Sequence, residues 1–183
     1  AAALYSSLGP QAAQTGLAVA AKHSKPVMIA AASTHFSIHR AARLLGVGSD
    51  GVHTIATDAE HRMDVDALRQ ALHSLAARPG LRPVCVVASA GTTLTGAIDP
   101  LVDIAALCRE HDLWLHVDAA YGAAALLAEE LRPRLRGIEL ADSLVIDLHK
   151  WFYLAFDASV LLLREPDSAR NLFYWQSDYV RWG

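Results

Sequence analysis

Three stretches of the sequence carry side chains that could act together. His116-Val117-Asp118-Ala119-Ala120-Tyr121-Gly122 places an acid at the end of an apolar run and follows it with small residues. Asp142-Ser143-Leu144-Val145-Ile146-Asp147-Leu148-His149-Lys150-Trp151 places a lysine just beyond another apolar run, with a histidine before it and an aromatic after it. Ala88-Ser89-Ala90-Gly91-Thr92-Thr93-Leu94-Thr95-Gly96 leaves a third such run with several hydroxyls. A lysine in a desolvated site can lose its proton and condense with an aldehyde to a Schiff base. A carboxylate facing a pyridine nitrogen keeps that nitrogen protonated, and the ring then becomes a sink for the electrons of a carbanion. One lysine, one acid and hydroxyls around a shallow floor are the protein half of pyridoxal-phosphate chemistry. Taken singly, Asp118 reads as a helix cap and Lys150 as a loop residue. Their shared place at strand ends, beside the threonine loop, favours the chemical reading.

These residues converge only if the runs before them are neighbouring strands. Strands are predicted at Val27–Ala30, Val52–Ile55, Val84–Ala88, Leu113–Val117, Ser143–Ile146 and Ser159–Leu163. Helices are predicted between them at Ile38–Leu45, closed by Gly46, at Asp64–Ala77 and at Ile104–Glu110. The second of these is well marked, with Val65, Leu68, Leu72 and Leu75 at helical spacing and Pro79-Gly80 ending it. A further helix is expected over Gln11–Lys22, after Pro10. Strands alternating with helices predict an α/β layer fold with a largely parallel sheet. The unbroken apolar run at Val84–Ala88 suits a strand covered on both faces. Ligands of open α/β sheets bind at the carboxyl edge, where all three stretches emerge. The segment Asn171–Gly183 carries Phe173, Tyr174, Trp175, Tyr179 and Trp182, and should pack on a partner chain or on another part of the same chain.

Composition narrows the classes. The 183 residues are 53% hydrophobic and 19% charged, which excludes disorder for most of the chain and suits one domain with a substantial core. No internal repeat or linker divides it. No apolar run approaches the ~20 residues of a membrane span, and Ala1-Ala2-Ala3 lacks the basic start of a signal peptide. A net charge of −3 gives no basic footprint for nucleic acid. Cys85 and Cys108 read as two buried free thiols in a reducing compartment, which points to the cytoplasm. Gly46-Val47-Gly48-Ser49-Asp50-Gly51 has dinucleotide-fingerprint spacing in reversed context, after a helix and before a strand, so it reads as a helix cap and turn. His35 and His39 have zinc-ligand spacing but no third ligand beside them, and no metal site is expected. His53, His61, His73 and His111 read as solvent-exposed and receive no role.

Four segments then carry a resemblance. They are S-T-H-F-S-I-H-R-A-A-R-L-L-G from Ser33, V-A-S-A-G-T-T-L-T-G-A-I-D-P, W-L-H-V-D-A-A-Y-G and A-D-S-L-V-I-D-L-H-K-W. From Ser33 to about Phe173 the chain resembles the group II pyridoxal-phosphate-dependent amino-acid decarboxylases, the family of aromatic-L-amino-acid and glutamate decarboxylases. The resemblance implies an aspartate-aminotransferase-like fold-type I large domain, a mostly parallel sheet sandwiched by helices. It implies pyridoxal 5'-phosphate as cofactor and decarboxylation of an L-amino acid as reaction. Lys150 would hold the cofactor as a Schiff base, and Asp118 would pair with the pyridine nitrogen. His35 would stack on the ring near the substrate carboxylate, with Ala120 on the opposite ring face. Thr93 would contact the cofactor, and His149 would lie near the phosphate or the Schiff base. Asp147 stands where many relatives have an asparagine contacting the phosphate. An acid there would act through a water or cap a turn. Leu148 replaces the proline common at its position. Thr92 and Thr95 would shape the turn.

The family's phosphate cup, N-terminal segment, mobile lid with its catalytic tyrosine and small C-terminal domain have no counterpart in residues 1–183, which would be the central part of the large domain. Tyr179 does not align with the lid tyrosine. Contacts to the substrate side chain would come from those other segments and from the second subunit of a homodimer. Two other readings stand beside decarboxylation: another fold-type I reaction, such as that of an aminotransferase or lyase, or a catalytically silent structural module.

Overall fold

The computed structural model describes residues 1–9, 12–21 and 24–173. The apolar runs form strands β1 (Lys25–Ala31), β2 (Val52–Ile55), β3 (Leu81–Ser89), β4 (Trp114–Asp118), β5 (Ser143–Asp147) and β6 (Ser159–Leu163). They make one sheet in the order β2-β1-β3-β4-β5-β6. The first five run parallel, and β6 returns antiparallel to β5. The helices are α1 (Ala2–Leu8), α2 (Ala12–Thr15), α3 (Leu17–Ala20), α4 (Ser37–Leu44), α5 (Val65–Ala76), α6 (Leu101–Glu110) and α7 (Pro166–Phe173).

The helices form where the apolar spacing demands cover. On α5, Leu68, Leu72 and Leu75 are buried along one stripe, and Asp64 caps the start by accepting from the Ala67 N–H at 3.0 Å. On α6, Leu101, Ile104, Ala105 and Cys108 face inward at spacings of three and four. Both helices pack against Ile29, Val86, Leu115 and Val117 on one side of the sheet. Leu4 of α1 and Ala42 of α4 pack with Met28, Ala30, Cys85 and Val87 on the other. β3 is therefore buried on both faces from Val84 to Ser89, as its unbroken apolar run requires.

Most bounds shift by one or two residues, and three elements differ by more. β3 begins at Leu81 rather than Val84, because Pro83 is accommodated beside an irregularity: Val27 pairs with Pro83 and Met28 with Cys85, so Val84 is skipped. α6 begins directly after Pro100, not at Ile104. The helix expected from Gln11 to Lys22 is two short helices, split where Gly16 takes φ +81°, a value that ends the right-handed turn. Gln11 and Lys22 lie outside the described residues, as does the aromatic stretch from Tyr174 onward. The Gly46–Gly51 segment is a helix end and a 3₁₀ turn leading into β2. His61 and His73 are exposed, whereas His53 and His111 are half-buried. Cys85 and Cys108 are buried and unpaired, and burial pushes both thiols up to about 12. Among the described residues no helix is long and apolar enough to cross a membrane, and no cluster of three His, Cys, Asp or Glu could hold a metal.

Candidate active site

The carboxyl ends of β3, β4 and β5 lie side by side. Ser89 pairs with Asp118, and Asp118 with Val145, so the three chemistry-bearing stretches leave the sheet at one edge. The loops beyond β3 and β4 are locked together there. Gly122 N donates to the Ala90 carbonyl at 3.1 Å, and a Cβ added to Gly122 would lie 2.1 Å from that oxygen. No side chain fits at Gly122, which explains the glycine after Ala120-Tyr121.

A cleft of about 210 Å³ opens at this edge, bordered by His35, Thr93, Asp118, Ala120, Asp147 and Lys150. Ser37, Tyr121 and Val145 also line it. Six of the seven residues singled out from the sequence meet here. Asp118 ends β4 and is half-buried, and its Oδ1 accepts from the Ala120 N–H at 3.1 Å. Among the described residues its Oδ2 takes no hydrogen bond, which leaves that oxygen for a ligand. Lys150 sits one turn past β5. Its Nζ lies 2.9 Å from Asp147 Oδ2 and 5.8 Å from the centre of the Tyr121 ring. Tyr121 is itself held by Trp151, with ring centres 4.9 Å apart.

Asp147 is fixed from its other side, where Ser159 Oγ donates to Oδ1 at 2.6 Å. Burial raises the Asp147 carboxyl, but the hydrogen bonds from Ser159 and Lys150 and the charges of Lys150 and His149 outweigh it, and the group is held below the usual range. His35 stands on the turn between β1 and α4. Its Nδ1 lies 2.8 Å from Ser37 Oγ and accepts from the Ser37 N–H at 3.4 Å. A backbone N–H only donates, so the hydrogen of a neutral His35 is on Nε2. Thr93 is exposed at the rim. Thr92 and Thr95 shape the turn after β3: their hydroxyls lie 2.7 Å apart, and Thr92 Oγ1 accepts from Ala97 N at 3.1 Å.

His149 is the seventh residue and does not border the cleft. Its Nδ1 lies 2.9 Å from the Ala158 carbonyl, and its ring meets Phe156 edge-on at 4.6 Å. Nε2 is 3.9 Å from Asp147 Oδ2, so His149 stands behind Asp147 and staples the β5–β6 loop. Three contributors escaped the sequence reading. Ser37 holds His35, and its place two residues after the histidine was the available signal. Tyr121 backs Lys150 from inside a quoted motif. Asp99, 2% exposed, accepts from the N–H groups of Met63 and Ser89, both at 2.7 Å. It ties the end of β3 to the loop before α5, and burial pushes its carboxyl up against those two donors.

Comparison with known proteins points the same way. Residues 9–182 match the family model described as the pyridoxal-dependent decarboxylase conserved domain. The chain is 44% identical over 167 residues to an L-2,4-diaminobutyrate decarboxylase of Rhizobium meliloti (strain 1021), covering 88% of this chain and 33% of the relative. It is 39% identical over 148 residues to an aromatic-L-amino-acid decarboxylase of Bacillus atrophaeus, covering 81% and 31%. The chain thus spans about a third of the length of these curated relatives. Among solved structures, mouse CSAD in its apo form superposes with a TM-score of 0.90 at 32% identity, over 100% of this chain and 38% of that one. Oryza sativa TDC with PLP and tryptamine gives 0.86 at 28% identity, over the same shares.

Proposed function

The chain belongs to the pyridoxal-dependent decarboxylase family, and on that premise we propose that it forms part of the cofactor-binding large domain of an enzyme that decarboxylates an L-amino acid with pyridoxal 5'-phosphate. The observation that carries this reading is the placement of Lys150 and Asp118 at the carboxyl ends of β5 and β4, on one cleft floored by Ala120 and Val145. The donor set fits the cofactor: an amine for its aldehyde, an acid for its ring nitrogen, a small-residue floor for a flat ring, and the polar groups of His35, Ser37 and Thr93 at the rim. When bound, the cofactor supplies an electron sink for the pair left on Cα as the carboxylate departs.

The residues of the chain divide the remaining work. Asp118, held by the Ala120 N–H, would keep a proton on the ring nitrogen. Asp147 orients the Lys150 amine at 2.9 Å and is itself fixed by Ser159. Lys150 would react with the cofactor's aldehyde only as the free amine, so its contact with Asp147 would have to open first. His35 offers Nε2–H as its remaining donor, suited to the carboxylate of the substrate. His149 holds the loop that carries Asp147 and Lys150.

A homodimer is part of the proposal. The β5–β6 connection exposes Trp151 (49%), Tyr153 (90%), Leu154 (52%) and Phe156 (83%) beside the cleft, an apolar set suited to burial against a second subunit. Two buried, unpaired thiols support a cytoplasmic setting. The test is an absorbance spectrum with added pyridoxal phosphate, followed by borohydride reduction and peptide mapping, and then carbon dioxide release from a panel of L-amino acids. A visible band fixed onto Lys150, with carbon dioxide released, supports the reading. A folded protein with no band refutes it, and a band with transamination but no carbon dioxide redirects it to another reaction.

A further inference from the structure

Below the cleft, the Asp118 side of the sheet carries a polar chain that the chemistry above does not use. Trp114, His116 and Asp118 alternate along β4, so their side chains share one face. Ser143 of β5 stands opposite His116 in register. Trp114 Nε1 lies 2.8 Å from Ser143 Oγ, and Ser143 Oγ lies 2.7 Å from His116 Nδ1. Ser143 is only 6% exposed.

The donors fix the direction of this chain. An indole N–H can only donate, so Ser143 Oγ accepts from Trp114. The single hydroxyl hydrogen of Ser143 then needs an acceptor away from water. Among the described residues, His116 Nδ1 is the acceptor within hydrogen-bond reach of that oxygen. Donation therefore runs from Trp114 to Ser143 to His116, and the hydrogen of His116 itself lies on Nε2. Protonating His116 would turn Nδ1–H onto Ser143 and strand the hydroxyl hydrogen. Burial also lowers the imidazole pKa, against the charge of Asp118 on its own strand.

We propose that the Trp114–Ser143 relay makes His116 a positioning residue for Asp118. Locked neutral and in one tautomer, His116 puts no cation beside Asp118, and the negative charge of that carboxylate is left whole for the ring nitrogen. This rests on the cofactor assignment above and adds a residue that acts through Asp118 without touching the cofactor.

The experiment has two readouts. Nitrogen-15 NMR of labelled histidines in the cofactor-free protein reads the tautomer and charge of His116. Pyridoxal phosphate binding and the pH titration of its visible band read the consequence. In the wild type, His116 should be neutral with hydrogen on Nε2. Ser143→Ala should mix the tautomers, raise the titration of His116, weaken pyridoxal phosphate binding by about three- to tenfold, as for one lost hydrogen bond, and shift the band titration. Ser143→Thr, which keeps the hydroxyl, should restore both readouts. Trp114→Phe, which removes only the polarising N–H, should give a smaller change of the same sign and serves if Ser143→Ala does not fold. Hydrogen on Nδ1 in the wild type overturns the proposal. So does a Ser143→Ala protein with unchanged band titration, even where the wild-type band forms normally. A wild type with no band on Lys150 overturns the cofactor assignment, and this proposal with it.

Discussion

The two walls of the cleft are built differently. The Asp118 wall belongs to the β1–β3–β4 half of the sheet, where β3 is buried on both faces from Val84 to Ser89 and Leu115 and Val117 lie in the core. The Lys150 wall belongs to the β5–β6 half, where β5 is only half-buried beyond Ser143 and Leu161 and Leu162 of β6 are 53% and 49% exposed. The acid ends a strand whose alternate residues, Leu115 and Val117, are buried in the core. The lysine is set by a short, partly buried network of Asp147, Ser159 and His149. The difference separates the two demands of the proposed chemistry: a fixed charge to hold a proton, and an amine that must release one group and take another. It also marks the side of the sheet that needs cover, which is where the exposed aromatic loop lies.

The largest effect should come from the open wall. Lys150→Ala should abolish borohydride labelling and bring carbon dioxide release below detection, while the melting temperature moves little, because the side chain is a third exposed and Asp147 keeps its hydrogen bond from Ser159. A marked loss of fold would make Lys150 a structural residue and erase the contrast between the walls. Next comes Asp118→Ala, which should retain weak pyridoxal phosphate binding and lose about a hundred- to a thousandfold in turnover, the scale for removing one preorganised charge. Normal turnover would remove Asp118 from the proton-holding role.

Asp99→Ala tests the packed wall without touching the cleft. It leaves the N–H groups of Met63 and Ser89 without their buried acceptor, and should cost about 2–4 kcal/mol in denaturant unfolding. Asp99→Asn, which keeps one acceptor oxygen, should recover part of that loss. A cost near zero would mean that the β3 end is not held as rigidly as its burial indicates.

The walls also differ in how far they could be read in advance. The strand ends at Asp118 and Asp147, just before Lys150, are legible because each ends an apolar run and local hydropathy marks the edge. The fold class and the bounds of β2 and β6 follow from the same signal. Asp99 was not legible, since its partners lie 36 and 10 residues away and no local pattern encodes them. The Trp114–Ser143–His116 chain fails for the same reason, because it exists only once β4 and β5 are in register. The direction of His149 depends on a loop that folds back to Ala158, so motif position beside Lys150 did not reveal that the ring points behind Asp147. The β3 start and the first helix differ at single residues: Pro83 is absorbed by an irregularity inside β3, and Gly16 at φ +81° divides the helix expected over Gln11–Lys22.

The smallest effect should come from Ser159→Ala, and it bears on whether the Lys150 wall is a network or a pair. Burial works against the Asp147 charge, and the hydrogen bonds from Ser159 and Lys150, with the charges of Lys150 and His149, overcome it. An acid held below its unfolded value stabilises the fold above the ordinary carboxylate range and loses that contribution as pH falls through the lowered value. The wild-type loop should therefore keep its Asp147–Lys150 contact at neutral pH and release it only in strong acid. Removing the hydroxyl should raise the carbon-13 titration midpoint of the Asp147 carboxyl while changing stability at neutral pH by under about 1 kcal/mol. If the midpoint stays where it was, Lys150 alone holds Asp147, and the open wall reduces to one ion pair. If stability falls by as much as in Asp99→Ala, the β5–β6 half is as tightly bound as the packed one, and its exposure does not mark freedom for the lysine to move.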